Sequence, residues 1–292
     1  MNRPISVHLY AVCTVTLWAS GFALTKVALT FFPANAVGLI RYAVASLVLL
    51  PLVIYKKLPP PAYKDIPLFL LSGAVGFFFY MIAFNKGLET LTSATSSVLI
   101  ATAPVLTALL AVLLFKERMK ALSWVAVSIE FCGVLVLTLW NGIFSIEAGV
   151  IWIIVAALLI SIYSFLQRRL TRSYSPLQAT AYSIFAGALF LLVFLPEALP
   201  LLFHAPLLPL CSVLFMGIFP SAMGYVFWAK ALSMAKQTSA VTNYMFLTPF
   251  LSTLFGFLMI LETPDLPTIL GGFIILCGLA LFRFGSRSAE KI

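Results

Sequence analysis

Ten apolar runs, each near twenty residues and separated by short polar connections, leave this chain few ways to fold. They cover residues 8 to 30, 34 to 55, 66 to 88, 93 to 115, 121 to 140, 148 to 167, 176 to 196, 207 to 229, 238 to 261 and 266 to 284. At about 1.5 Å of rise per residue, a helix of that length crosses roughly 30 Å of hydrocarbon. In lipid every backbone polar group must be satisfied internally, and runs this long select helices over barrel strands. The same feature excludes a water-soluble fold. Hydrophobic residues make up 62% of the chain and charged residues 9%, against about 25% charged in soluble domains, so no soluble interior could hide the apolar surface. The first run follows Arg3, and TLWASGFA could imitate a signal-peptide cleavage site. Because the run stays apolar beyond that point, it is read as the first transmembrane helix.

The runs are related in pairs. Sliding residues 93 to 137 onto 238 to 282 at one offset of 145 aligns Pro104 with Pro249, Leu106 with Leu251, Leu109 with Leu254, Leu113 with Leu258 and Glu117 with Glu262. Ile129, Cys132 and Gly133 fall on Ile274, Cys277 and Gly278 without a gap. Leucine matches arise easily in apolar sequence, whereas a proline, a glutamate and a Cys-Gly pair in one register do not. The expected architecture is an all-α membrane protein of ten transmembrane helices, built from a five-helix repeat over residues 1–140 and a second over 141–292.

Five is odd, so the second repeat enters the membrane from the opposite face and equivalent loops lie in opposite compartments. Basic residues accumulate in short cytoplasmic loops, which explains why LLFKERMK is basic where its echo LMILETPD is acidic. The alternate connections and both termini hold Arg3; Lys56, Lys57 and Lys64; Lys116, Arg118 and Lys120; Arg168, Arg169 and Arg172; Lys230 and Lys236; Arg283, Arg287 and Lys291. The opposite side or the spans hold Lys26, Arg41 and Lys86, together with Glu89, Glu147, Glu197, Glu262 and Asp265. Both termini are therefore expected in the cytoplasm, with the chain in a plasma membrane, a bacterial inner membrane in particular. The net charge of +9 reflects this topology and implies no nucleic-acid partner.

Motifs of intramembrane catalysis are missing from the expected membrane interior. His8 and His204 sit at span edges, and no HExxH, GxGD or paired intramembrane aspartates occur, so an enzyme is not expected. No GxxxxGK[ST] segment supports direct ATP use. Cys13, Cys132, Cys211 and Cys277 lack metal-ligand or CxxC spacing and read as small apolar fillers. No cofactor or metal is expected.

Several stretches resemble a known family. TLWASGFALTK, LIRYAVASLVLLP, ATAPVLTALLAVLLFKER with its echo FLTPFLSTLFGFLMILE, and the endings CGVLVL and CGLALF are similar to the drug/metabolite transporter superfamily. The resemblance is closest to its EamA-type exporters and, within them, to the YddG-like amino acid exporters. It implies a central cavity between helices one to four and six to nine, with helices five and ten at the periphery. It also implies export of small metabolites by alternating access.

Inverted repeats place substrate near the bilayer midplane, where polar and aromatic residues become the candidates. In the first half these are Trp18, Ser20, Tyr80, Asn85 and Ser97; in the second they are Ser161, Tyr163, Ser221, Tyr225, Trp228, Asn243 and Tyr244. Pro104, Pro220 and Pro249 lie near midspan as hinges, as carbonyl-exposing breaks, or as packed kinks. Ser97 also belongs to a small-residue series with Ser93 and Ala101, which marks close helix packing as readily as a ligand wall. Tyr80 and Tyr225 differ by 145, but an offset of 144 gives more matches around them, so the sequence does not pair them. Arg41 and Glu130 are charged groups inside spans at depths compatible with a pair. Arg41 reads either as a tie between helices or as a carboxylate ligand, and Glu130 as a structural group rather than a proton carrier. Gly271, Gly272 and Gly278 offer a docking face or intrachain packing, leaving monomer and homodimer open. A cavity of rings, hydroxyls and amides without clustered cations suits a neutral or zwitterionic solute, an amino acid above all. A multidrug or toxic-cation exporter is the alternative.

Overall fold

In the computed structural model, residues 3–115, 121–139, 148–235 and 241–287 are described. The loop residues Lys116, Glu117, Arg118, Lys120, Glu147, Lys236 and Lys291 lie outside them, as does the side chain of Asn243. Every regular element among the described residues is helical. Seven helical stretches are long and apolar enough to cross a membrane, and shorter apolar helices cover Ala121–Val136, Tyr244–Ile260 and Leu266–Phe282. Their outward faces carry large apolar side chains such as Leu113, Phe131, Leu258 and Phe273. This is the surface of a protein solvated by lipid.

The first two helices are continuous, α1 (Arg3–Leu29) and α2 (Ala34–Tyr55). The next span is interrupted: α3 (Ile66–Gly73) passes into a π-helical segment, Ala74–Phe79, before α4 (Tyr80–Thr90). The following span is broken into α5 (Ser93–Ile100) and α6 (Ala103–Phe115). Thr92 caps the first piece, its Oγ1 accepting from Thr95 N at 3.1 Å. Pro104 supplies no N–H to the carbonyl of Ile100 four residues earlier, which interrupts the regular helical ladder at this point. α7 (Ala121–Leu139) completes this half.

The second half carries interruptions at corresponding places. α8 (Ala148–Leu170) is followed by α9 (Pro176–Leu191), which Ser175 caps by accepting from Gln178 N, and by the short α10 (Leu195–Leu202). α11 (Leu207–Met216) runs into a π segment, Gly217–Gly224, and then α12 (Tyr225–Met234). Pro220 lies inside that segment, where its missing N–H disturbs the regular ladder. A 3₁₀ turn, Asn243–Leu247, precedes α13 (Thr248–Ile260), with Pro249 in the first helical turn. α13 ends with Leu261 in the left-handed conformation, φ 54°, and Glu262 N reaching back to Gly256 O at 3.1 Å. α14 (Leu266–Arg287) closes the described chain.

The two halves share one core. α1 packs on α11, α12 and α13, α2 packs on α9 and the second π segment, and α4 packs on α8. By contrast, α14 packs chiefly on α7. Small residues permit that approach. A Cβ at Gly133 would meet Gly271 O at 2.8 Å, and one at Gly278 would lie 2.6 Å from Glu130 Cγ. Gly271 and Gly278 are thus used within the chain. Glu130 is buried at this seam with neither carboxyl oxygen hydrogen-bonded, and it forms no pair with Arg41.

Candidate functional site

The broken and π-interrupted spans converge with α1, α2 and α8 on one small cavity. Its wall is Trp18, Gly21 and Phe22 from α1, Arg41 from α2, Tyr80 and Phe84 from α4, Ile100 at the end of α5 and Ile160 from α8. Tyr225, Met245 and Thr248 complete it from the second half. Both halves contribute, so relative movement of the halves alters the space between them. The cavity volume is about 20 Å³, room for about one water. Ligand entry requires the walls to separate.

Arg41 is the only charged side chain in this wall. Its Nε donates to Ser221 Oγ at 2.6 Å, binding α2 to the second π segment. Nη1 is buried with no hydrogen-bond partner. Nη2 lies 3.9 Å from the position a Cβ would take on Gly21, an ordinary van der Waals separation. Among the described residues, no aspartate or glutamate contributes to the wall.

Aromatic rings occupy most of the remaining surface. Trp18 packs against Tyr225 and Trp228, with ring centroids 4.8 and 4.9 Å apart, and its Nε1 donates to Pro220 O at 3.0 Å. That bond uses a carbonyl within the π segment and holds the indole across the boundary between halves. Tyr80 stacks on Phe84 at 5.6 Å. Tyr80 and Tyr225 are each the first residue after a π segment, and both reach the cavity.

The prolines act through backbone carbonyls near this space. Ile100 lies in the wall, and Pro104 four residues on has no N–H to offer its carbonyl in the regular helical pattern. In the other half Met245 occupies the equivalent place before Pro249, but its carbonyl accepts from Thr248 N.

Among the residues singled out from sequence, Trp18, Tyr80, Tyr225 and Arg41 line the cavity, and Ser221 holds Arg41. Tyr163 and Trp228 form a layer behind it. Tyr163 is fully buried with its ring 5.6 Å from Tyr225, and Trp228 is fully buried behind Trp18. Ser161 donates to Ala103 O at 2.9 Å, joining α8 to the break in the fourth span. Ser20 and Ser97 donate to carbonyls of their own helices, Leu17 O and Ala94 O. Asn85 donates to Ala34 O at 2.8 Å, and Tyr244 hydrogen-bonds His8. Sequence reasoning missed Gly21, Phe22, Phe84, Ile100, Ile160, Met245 and Thr248. Of these, Thr248 and the two residues four before a proline carried a readable signal.

Known proteins similar to this chain are transporters. A profile of the EamA-like transporter family matches residues 5–139 and again 147–284. An uncharacterized transporter of Bacillus subtilis, YdfC, is 30% identical over 292 residues, covering all of this chain and 95% of the relative. A probable terminal-alkyne amino-acid exporter of Streptantibioticus cattleyicolor is 29% identical over 273 residues, covering 93% and 91%. A solved crystal structure superposes with a TM-score of 0.67 at 17% identity over 98% of both chains, a likeness of fold. With the family profile matched twice along nearly its whole length, this multi-pass membrane protein is a transporter and belongs to the EamA-like transporter family.

Proposed function

We propose that the chain exports small neutral or zwitterionic metabolites, amino acids above all, by alternating access through ten spans arranged as two inverted five-helix repeats. The three shorter apolar helices count as spans in this reading. The matching π segments and proline breaks support the duplication, and both termini lie in the cytoplasm of a bacterial inner membrane. The observation that carries the substrate class is the cavity wall: aromatic and apolar side chains, Thr248, and Arg41 as the sole charge. Rings cover an apolar side chain, the guanidinium answers a carboxylate, and ring faces with the hydroxyls of Tyr80, Tyr225 and Thr248 suit an ammonium. The amino-acid export named for the Streptantibioticus relative accords with this.

The ring-rich wall would also accommodate an organic cation, the basis of a multidrug or toxic-cation reading. Arg41, with no acidic residue in the wall, opposes it, since a like charge at close range in a poorly hydrated site is repelled. Glu130 lies at the α7–α14 seam and outside the cavity wall, which supports facilitated efflux over proton coupling.

The test is uptake of labelled amino acids into proteoliposomes, with and without a pH gradient, competed by unlabelled amino acids and by quaternary ammonium compounds. Competition by amino acids supports the reading; competition by the cations alone replaces it with the second. The topology is tested by Lys116→Cys and Glu262→Cys, which should label from opposite faces of the membrane.

A further inference from the structure

The cavity offers its two polar poles on unequal terms. Arg41 is 4% exposed, fixed in direction by Ser221 through Nε, and left with a buried Nη1 that no group satisfies. A buried cationic donor without a partner is costly, and an entering carboxylate would supply the missing acceptor in a charge-assisted bond. Nothing of comparable strength awaits an ammonium group. Among the described residues the wall has no carboxylate, and the nearby Pro220 carbonyl already accepts from the Trp18 N–H. What remains for a cation is neutral, the hydroxyls of Tyr80, Tyr225 and Thr248 and the ring faces, all within the field of Arg41.

Resting on the proposed transport of amino acids, we infer that this site recognises the carboxylate first: Arg41 Nη1 is the carboxylate anchor, and the α-ammonium group is dispensable. The ligand class then extends beyond amino acids to monocarboxylates of similar apolar body. Amines of the same body are excluded. Arg41 is a substrate-contacting group in this assignment, and Ser221 a positioning residue that aims the guanidinium.

The experiment compares L-phenylalanine, 3-phenylpropionate and phenethylamine as ligands of the purified full chain in lipid nanodiscs, by isothermal titration calorimetry. Direct binding avoids passive permeation of the weak acid through liposomes. 3-Phenylpropionate should bind within about tenfold of phenylalanine, and phenethylamine about ten- to a hundredfold more weakly, the range spanned by one hydrogen bond to a charged group. Arg41→Gln should abolish that preference, and Arg41→Lys should retain part of it. Should Arg41→Gln fail to fold, Ser221→Ala keeps the charge but frees its direction, and should narrow the gap between acid and amine. Phenethylamine binding as tightly as 3-phenylpropionate, or failure of every carboxylate to bind, would overturn the assignment. Binding of 3-phenylpropionate without uptake of labelled phenylalanine would instead leave the anchor standing and remove amino-acid export.

Discussion

Arg41 Nε and Ser221 Oγ, 180 residues apart in the chain, meet at 2.6 Å and tie the second helix to the π segment that interrupts α11 and α12. Ser221 is fully buried, so no water replaces its hydroxyl. Ser221→Ala leaves one more guanidinium donor unsatisfied and should destabilise the chain by about 1–3 kcal/mol. The fall in apparent melting temperature in detergent measures this, and an unchanged value would deny the bond a stabilising role.

The two layers of aromatic residues should respond differently to truncation. Trp18→Ala opens the cavity wall and should alter substrate selectivity in transport. Trp228 and Tyr163 are fully buried behind the wall, and alanine at either should cost about 3–5 kcal/mol, the range for emptying a large aromatic site. Parallel melting curves and competition assays separate the effects.

Gly76 lies in the first π segment, where a Cβ would overlap the Tyr163 ring. Because Tyr163 is itself packed against Phe77 and Tyr225, the ring has little room to yield. Gly76→Ala should destabilise by about 1–3 kcal/mol through overpacking. Gly38→Ala is the control, since its Cβ would approach Met81 Cβ only to 3.3 Å, and it should cost distinctly less by the same melting measurement.

Leu261 holds a left-handed backbone, φ 54°, in the position where glycine is favoured at a helix end. The turn returns Glu262 toward α5, where its Oε2 accepts from Ser93 N at 2.9 Å. Leu261→Gly removes the steric cost of that conformation and should stabilise by about 1 kcal/mol. Glu262→Ala should cost about 1 kcal/mol, the usual loss for a helix-start acceptor. Opposite signs in thermal unfolding are the expected result.

Outside the spans, the Tyr174 hydroxyl donates to Asp65 Oδ2 at 2.6 Å, and this hydrogen bond raises the Tyr174 pKa above its ordinary value near 10. The folded chain therefore holds that proton more tightly than the unfolded chain. The stabilisation is complete below about pH 10 and is lost as pH rises through the folded pKa. Wild type should melt above Tyr174→Phe at pH 7, and the difference should shrink in alkaline buffer.

The aromatic wall was partly legible from residue type: Trp18, Tyr80 and Tyr225 are amphipathic rings at midspan, where lipid alone gives them little reason to lie. Phe22, Phe84, Ile160 and Met245 were not, because an apolar side chain in an apolar run has the same composition signal whether it faces lipid, a neighbour or a cavity. Serines are ambiguous for a related reason. Ser20 and Ser97 satisfy their hydroxyls on their own helical carbonyls, an option that makes a mid-helix serine compatible with any face.

Apolar length and charge alone determined that this chain lives in a bilayer, because hydrocarbon tolerates only segments that satisfy their own backbone. The glutamate and proline in common register carried the doubling of the chain in the same way. Only the folded molecule decided that Arg41 looks to Ser221 rather than Glu130, and that Tyr80 and Tyr225 share one space. Those outcomes depend on a few degrees of helix rotation and one extra residue in a π turn, quantities that side-chain chemistry along a single strand of sequence does not encode.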